Sequence, residues 1–280
     1  MRIDLISEHA SPLAAIGGAD SGGQNVHVAE LARALGERGH HVTVYTRRDD
    51  SALPDRVRTG PGVTVEHVPA GPASSVPKDM LLPYIPEFGD HLAQRWLAEP
   101  PDVVHAHFWM SGLAAHRGAH GTGIPVLQTF HALGIVKRRH QGVSDPSPPS
   151  RLRLEAGLAR DAALIVATCS DEVSELAALG VPAQRVAVVP CGVDLDRFTP
   201  NGPRATRGSQ HRILSLGRLV ERKGVETTLR ALPEVPGAEL VIAGGGDAIA
   251  DAELARLAAL AQAYGVRDRV HLVGQISRAD

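Results

Sequence analysis

Short β-branched runs alternate with loops and amphipathic segments along most of the chain. The segment 23–38 has apolar residues along one stripe, which predicts an amphipathic helix. Strand-like runs occur near residues 2–7, 41–46, 62–67, 102–106, 125–129, 163–168 and 186–190. This alternation predicts an α/β fold, in which helices cover both faces of a parallel sheet.

The same pattern starts again after a polar segment rich in Pro and Gly, residues 199–209, whose composition is typical of a linker. We therefore predict a first domain at 1–198 and a second at 210–280. A doubly wound domain normally has five or six strands, so we expect the second domain to be truncated. Its predicted elements are strands at 211–216, 239–243 and 269–273 and helices near 224–232 and 250–264.

Composition narrows the class of partner. The chain has 280 residues, a formal net charge of -2 and 3% aromatic residues. Proteins that bind nucleic acid usually carry a basic excess or aromatic residues that stack on bases, so we expect no nucleic-acid partner. The two cysteines, Cys169 and Cys191, are too few for a disulfide framework or a zinc site.

The first residues predict a strand and not a signal peptide, because Asp4 interrupts the apolar run. We find no apolar stretch of the roughly 20 residues needed to cross a bilayer. These features favour a cytoplasmic protein. Membrane association stays open, although no basic amphipathic helix argues for it, and the sequence indicates no oligomeric state.

A glycine-rich segment, 17–28, lies between the first strand and the first helix. Glycines at a helix start let backbone N–H groups approach an anion, although a flexible loop is the alternative. A dinucleotide fingerprint would follow the strand directly and place an acid at the end of the next strand. That next strand ends at Arg47 and Arg48, so we exclude NAD.

A second charged turn, Gly217–Gly224, joins a predicted strand to a helix. Its cations Arg218, Arg222 and Lys223 suit a diphosphate at the start of the helix. A solvated surface turn is the alternative. A further cationic run, 137–140, precedes a Pro/Ser-rich loop, 142–150, and suits either an anionic acceptor or solvent.

Histidines follow two neighbouring predicted strands at their carboxyl ends, where ligands bind in such sheets. His105 and His107 share one strand face, and His131 follows the next strand. No carboxylate or cysteine is spaced to complete a zinc site with the first two, so we expect no metal. His131 has either a structural or a ligand-binding role.

Taken together, these motifs resemble retaining family 4 glycosyltransferases, whose two Rossmann-like domains form the GT-B arrangement. The resemblance is closest to enzymes that use inositol phosphate and to sucrose-phosphate synthases. The motifs are Asp20-Ser21-Gly22-Gly23-Gln24-Asn25-Val26, His105-Ala106-His107, Thr129-Phe130-His131, Val189-Pro190-Cys191-Gly192-Val193-Asp194, Gly217-Arg218-Leu219 with Lys223-Gly224, and Ile242-Ala243-Gly244-Gly245-Gly246.

The resemblance implies a hexosyltransferase that uses a nucleotide sugar, with UDP-sugars favoured, and needs no metal or other cofactor. It places the donor diphosphate at the Gly22 and Gly23 backbone and at Gly245. Arg218 and Lys223 would neutralise charge on the departing nucleoside diphosphate in a cleft between the domains. His131 would hydrogen-bond the donor sugar, so His131, Arg218 and Lys223 are the expected catalytic residues.

On the acceptor side the resemblance implies Asn25, Lys78 and Arg151, with Arg153 as the alternative arginine. Phe108 stands where the inositol-phosphate enzymes have a tyrosine, and Ala132 stands where they have a threonine. Each lost hydrogen bond to a charged group is worth roughly 1.5–3 kcal/mol. We therefore expect a different acceptor, either a small molecule or a glycan, and a phosphorylated one stays open.

Family members also have a pair of glutamates further along the second domain, which bind the donor. We expect them beyond residue 280, so the chain as written is expected to be an inactive fragment. Two other functions stay open: a GT-B sugar-nucleotide epimerase, and a non-catalytic acceptor-binding module.

Overall fold

The computed structural model describes residues 1–14, 22–203, 206, 211–245 and 248–276, without the side chains of Arg222, Ala248 and Ile249. The chain divides into an N-terminal unit, Met1–Leu13 with Gly23–Gly192, and a C-terminal unit, Ala14–Gly22 with Val193–Asp280. The predicted domain limits and the linker 199–209 stay predictions, because much of that linker lies outside the described residues.

The N-terminal unit is an α/β structure, as predicted. Its strands are β1 (Arg2–Ile6), β2 (His41–Arg47), β3 (Arg56–Gly60), β4 (Val63–Val68), β5 (Val103–His107), β6 (Val126–Thr129), β7 (Leu164–Ala167) and β8 (Val186–Val188). Its helices are α1 (Gly23–Glu37), α2 (Ile85–Ala98), α3 (Trp109–Gly118), α4 (Gly134–Gln141), α5 (Arg151–Asp161) and α6 (Ser170–Ala178).

The strands form one sheet in the order β3-β4-β2-β1-β5-β6-β7-β8. Every pairing is parallel except that of β3 with β4, which the sequence analysis did not predict. Arg56–Gly60 is a largely exposed strand at the sheet edge, so it lacks an apolar run that would predict it. The Gly62 backbone, at φ 67°, allows the tight turn that joins it to β4.

Helices α2 and α3 pack against each other, and small residues allow the close approach. A Cβ atom on Gly118 would lie 2.7 Å from the ring of Trp96, which is buried. The Trp96 indole Nε1 donates a hydrogen bond of 2.7 Å to the Asp4 carboxylate of β1. This bond ties α2 to the centre of the sheet.

The strand order reverses direction between β1 and β5, which are neighbours in the sheet. Helix α1 follows β1 and helix α3 follows β5. In doubly wound sheets a crevice opens at the carboxyl ends of the strands at such a reversal, and ligands bind there. The topology therefore places the loops after β1, β5 and β6 at one candidate site.

The C-terminal unit contains β9 (His211–Leu216), α7 (Val225–Ala231), β10 (Ala238–Ala243), α8 (Ala248–Ala263) and β11 (Val270–Gly274). Its strands form a parallel sheet in the order β11-β10-β9, and the predicted positions of all five elements are confirmed to within two residues. Its core includes Leu229, Leu240, Ile242 and Leu257. Among the described residues, no helix has both the length and the apolar character needed to cross a membrane.

Candidate functional site

The loop after β1 carries a buried carboxylate that the sequence analysis missed. Glu8 accepts hydrogen bonds from the Ser111 hydroxyl and from the His9 ring, with 2.7 Å between His9 Nδ1 and Glu8 Oε1. The Glu8 backbone N–H donates to Ser111 Oγ at 3.1 Å. These bonds join the end of β1 to the first turn of α3. An acidic residue and a histidine directly after a predicted strand were the sequence signal for this pair.

Two residues at the carboxyl ends of β5 and β6 have an unusual backbone. Phe108 has φ 84° and His131 has φ 58°, and within the described part of the chain they are the non-glycine residues with positive φ. Such conformations cost about 1–3 kcal/mol each and are concentrated at functional sites. Phe108 directly precedes α3, and the His9 ring meets its ring edge-on at 4.9 Å between centroids.

The predicted common face of His105 and His107 is present, since their ring centroids lie 4.2 Å apart. His105 Nε2 lies 2.8 Å from the Thr129 hydroxyl oxygen, and that hydroxyl donates its hydrogen to the Val166 carbonyl. Thr129 can therefore only accept from His105, which fixes the proton of this imidazole on Nε2. Burial lowers the pKa of His105 to about 4.

His107 connects the end of β5 to His131. His107 Nδ1 and His131 Nε2 lie 3.0 Å apart. Burial lowers the pKa of His131 to about 3 and that of His107 well below its usual range. Both imidazoles are therefore neutral at pH 7.

The predicted acceptor residues Phe108 and Arg151 lie together. Arg151 is buried, and its guanidinium carbon lies 5.1 Å from the centroid of the Phe108 ring. The same guanidinium donates to the Ala132 carbonyl at 2.6 Å and to the Glu155 carboxylate at 2.7 Å. Three positions that the resemblance assigns to the acceptor, at 108, 132 and 151, are thus in one cluster, and the alternative Arg153 is exposed.

The other predicted acceptor residues lie on separate elements. Asn25 is buried in the first turn of α1, and its amide donates to the Ser11 carbonyl at 2.9 Å. Lys78 is half-buried and begins the 3-10 turn Lys78–Met80, which leads towards α2. Their proposed contacts with the acceptor stay predictions.

The cationic run 137–140 belongs to helix α4, and its best-placed cations have partners within the unit. Lys137 Nζ lies 2.8 Å from an Asp145 carboxylate oxygen and also donates to Ser147 Oγ at 2.8 Å. Arg139 forms two hydrogen bonds with the Glu175 carboxylate. These pairs favour the structural interpretation of the run over direct acceptor binding.

The predicted donor residues Arg218 and Lys223 lie after β9 in the C-terminal unit. A Cβ atom on Gly217 would lie 3.9 Å from Lys223 Cε, so the lysine stem passes beside that glycine. Lys223 ends the 3-10 turn Glu221–Lys223, and Gly224 follows with φ 69°. The strand end, both cations and the start of α7 therefore lie along one short turn.

Two further glycines lie directly after β10, and backbone geometry accounts for glycine at both positions. A Cβ atom on Gly244 would lie 1.9 Å from the Gly217 carbonyl oxygen, so a side chain does not fit there. Gly245 has φ 121°, which L side chains rarely adopt. Gly246 lies outside the described residues.

Helix α1 begins at Gly23, as predicted. A Cβ atom on Gly22 or Gly23 would meet no other atom within 4 Å, so packing does not require glycine at either position. The first turn of α1 contains no acidic residue that would compete with an anion. The rest of the motif, Gly17–Ser21, lies outside the described part of the chain.

Comparisons with known proteins agree with the motifs. The family model described as Glycosyltransferase Family 4 matches residues 21–197, and that described as Glycosyl transferases group 1 matches residues 202–280. A D-inositol 3-phosphate glycosyltransferase of Xylanimonas cellulosilytica is 36% identical over 96% of this chain and 69% of its own length. One from Mycobacterium tuberculosis is 33% identical over the whole chain and 60% of its own length.

Solved structures show the same fold. Sucrose-phosphate synthase from Thermosynechococcus elongatus matches 99% of this chain and 71% of its own, with a TM-score of 0.88 and 30% identity. Anabaena HepE in complex with UDP and glucose matches 99% of this chain and 70% of its own, with a TM-score of 0.69 and 16% identity. The α/β fold of the chain is therefore the GT-B fold, and the likeness to HepE concerns fold alone.

Proposed function

The chain belongs to glycosyltransferase family 4, and on this basis we propose that it moves a sugar, with retention of anomeric configuration, from a UDP-sugar to a small phosphorylated acceptor. The observation that carries the proposal is the cluster at the carboxyl ends of β1, β5 and β6. There Glu8 and His9, Phe108 and His131 surround the reversal point of the sheet.

On the donor side we assign leaving-group stabilisation to Arg218 and Lys223. The reaction breaks the bond between the sugar and the diphosphate, and negative charge develops on the departing UDP. Two fixed cations next to the end of β9 would stabilise that charge, and no metal ion is needed for this step. The Gly217 and Gly244 backbones approach each other closely, and the Lys223 side chain passes beside Gly217.

The choice of UDP rests on relatives. UDP is present in the HepE complex, whose sequence is too distant to carry the assignment further. His131 is then proposed to hydrogen-bond the donor sugar as a neutral imidazole. Attack by the acceptor on the face from which UDP departs gives retention and requires no protein nucleophile.

On the acceptor side, one relative is named for inositol 3-phosphate and another for the synthesis of sucrose phosphate, so both names include a phosphorylated polyol or sugar. In this chain Phe108 and Ala132 offer no side-chain hydroxyl to such a ligand, and the Arg151 guanidinium already has the Glu155 carboxylate as its partner. We therefore propose a phosphorylated acceptor other than inositol 3-phosphate, with Lys78 as the cation that binds its phosphate and Asn25 as a polar contact.

The test is a product assay on the natural gene product. UDP-sugars are mixed with pairs of acceptors, each a phosphorylated polyol or sugar and its unphosphorylated counterpart, and products are identified by proton NMR of the anomeric signal. We expect transfer to a phosphorylated acceptor with the donor's configuration. Arg218→Ala and Lys223→Ala should each lower kcat by on the order of a hundredfold.

Arg212→Ala is the matched control, because Arg212 lies at the opposite, amino end of β9 and pairs with Glu239. It should leave kcat unchanged. A nucleotide sugar converted without any acceptor would indicate an epimerase, and acceptor binding without turnover would indicate a binding module. An inverted anomeric signal would refute the retaining mechanism.

A further inference from the structure

Three histidines from different parts of the N-terminal unit meet beside the reversal point of the sheet. His27 lies on α1, His107 ends β5 and His131 follows β6. One ring nitrogen of each lies within 4.8 Å of one ring nitrogen of the other two. The ring centroid of His27 is 5.5 Å from that of His107 and 5.1 Å from that of His131.

We propose that His27, His107 and His131 form a binding site for one divalent transition-metal ion, with Zn²⁺ as the representative ion. The sequence analysis expected no metal, and the proposed site departs from that expectation. For the histidines, that expectation considered only whether a carboxylate or a cysteine could complete a zinc site with His105 and His107. The structure instead brings in His27, a residue of α1 that sequence spacing does not connect with the strand ends.

The distances suit a metal after a small adjustment. With Zn–N bonds of about 2.0–2.1 Å, a tetrahedral site places its ligand nitrogens about 3.3 Å apart. His107 Nδ1 and His131 Nε2 are already 3.0 Å apart. His27 is half-buried on the helix surface, so a change in its side-chain torsions can bring its ring closer without disturbing the sheet.

The chemistry of the donors is equally suitable. Imidazole binds zinc, copper and nickel well, and one ring nitrogen from each of the three histidines converges here. His107 Nε2 is buried and has no hydrogen-bond partner among the described residues. Coordination through Nδ1, the atom that now contacts His131, would leave this Nε2 to carry the proton of the neutral His107 ring.

The partial exposure of the cluster provides access. His107 is fully buried, whereas His27 and His131 are half-buried, so an ion can enter from their side. Three nitrogen ligands leave a fourth position for water or a ligand oxygen. A metal there would also hold the His131 ring, whose backbone has the unfavourable φ of 58°.

The test measures binding and not activity, so its result is independent of the proposed transferase function. The natural gene product is treated with a chelator, dialysed and titrated with ZnCl₂ by calorimetry. Cobalt(II) replaces zinc in a parallel titration, because a tetrahedral cobalt site gives intense visible absorption. We expect one equivalent of Zn²⁺ to bind at a site that also gives this cobalt absorption.

His27→Gln should weaken this binding at least tenfold and remove the cobalt absorption, since one of three ligands is lost. The matched control is His116→Gln, because His116 is also half-buried on a helix, α3, but lies outside the cluster. It should bind Zn²⁺ like the unmodified protein. His107→Gln tests a second ligand, with circular dichroism to establish that it is folded.

Two outcomes would overturn the proposal. One is the absence of a one-equivalent Zn²⁺ site in the folded, unmodified protein. The other is Zn²⁺ affinity that is the same in His27→Gln and His116→Gln, which would show that surface histidines bind the ion. In either case the 3.0 Å contact between His107 and His131 is a simple hydrogen bond between neutral rings.

Discussion

Arg151 and Glu155, one turn apart on α5, form an ion pair with 2.7 Å between Nε and the carboxylate, and their side chains are only 3% and 2% exposed. The second Glu155 oxygen accepts the Gly134 backbone N–H at the start of α4. Burial raises the pKa of Glu155, although Arg151 opposes the shift. This pair therefore fixes α4, α5 and the Phe108 ring with respect to one another.

Removing the arginine charge should destabilise the N-terminal unit strongly. Arg151→Met leaves Glu155 as an uncompensated buried carboxylate, which typically costs about 3–5 kcal/mol. Urea unfolding followed by circular dichroism measures the change in the free energy of unfolding. The exposed Arg153→Met is the matched control and should change it by less than about 0.5 kcal/mol.

The double variant Arg151→Met with Glu155→Gln separates charge from packing. The glutamine retains an acceptor for the Gly134 N–H but has no charge to bury. We expect it to recover most of the stability lost in Arg151→Met. No recovery would mean that the lost contacts of Arg151 with Ala132 and Phe108, and not the unpaired carboxylate, cause the loss.

Asp4 should make stability depend on pH in mildly acidic solution. Burial raises its pKa from 3.8 to about 6, although the Trp96 hydrogen bond opposes the shift. Between about pH 4 and 6 the folded protein keeps a proton that the unfolded chain has released. The contribution of Asp4 to the free energy of unfolding therefore falls by about 3 kcal/mol as pH rises through this window.

Asp4→Asn removes this titration and retains an oxygen that accepts from Trp96. The variant should gain stability relative to the unmodified protein as pH rises from 4 to 6, with no further gain above that window, as measured by urea unfolding at several pH values. Asp90→Asn is the contrasting control. The Arg117 hydrogen bond lowers the pKa of the exposed Asp90, so its contribution is lost only as pH falls below about 4. A constant difference between Asp4→Asn and the unmodified protein would contradict the assignment.

Gly244→Ala should distort the ends of β9 and β10. The new Cβ atom would lie 1.9 Å from the Gly217 carbonyl oxygen, and backbone atoms must move to relieve that contact. Gly265→Ala is the matched control, because Gly265 also has positive φ, 68°, but a Cβ atom there meets nothing within 4 Å. The control should lower the free energy of unfolding by about 1–2 kcal/mol, which is the strain of an alanine in the left-handed conformation. Thermal unfolding should show a clearly larger loss for Gly244→Ala, and equal losses would disprove the steric explanation.

Introducing two hydroxyl groups should change the acceptor preference. Phe108→Tyr combined with Ala132→Thr supplies the donors that the resemblance assigns to inositol-phosphate enzymes. Each hydrogen bond to a charged group is worth roughly 1.5–3 kcal/mol, so calorimetry should show at least a tenfold gain in affinity for inositol 3-phosphate. Unphosphorylated inositol is the ligand control and should show no such gain. An unchanged affinity would place the acceptor phosphate away from the Phe108 cluster.

The sequence by itself determined the positions of every strand except β3 and the glycine and cation motifs at strand ends. Hydrophobic period and glycine preference are local properties, so strands such as 211–216 could be predicted from their own residues. The edge strand β3 was missed, because Arg56–Gly60 packs too little apolar surface to produce such a pattern. The helix that contains Lys137 was missed because its residues are mostly polar.

Only the tertiary structure decided which side chains meet. The pairing of β1 with β5 brings Glu8 to Ser111, and the packing of α1 brings His27 to His107 and His131. The burial of the Arg151–Glu155 ion pair beside Phe108 likewise depends on how α5 packs and not on the sequence of α5 alone. These contacts depend on strand order and helix packing between segments far apart in the chain, and no local pattern encodes that order.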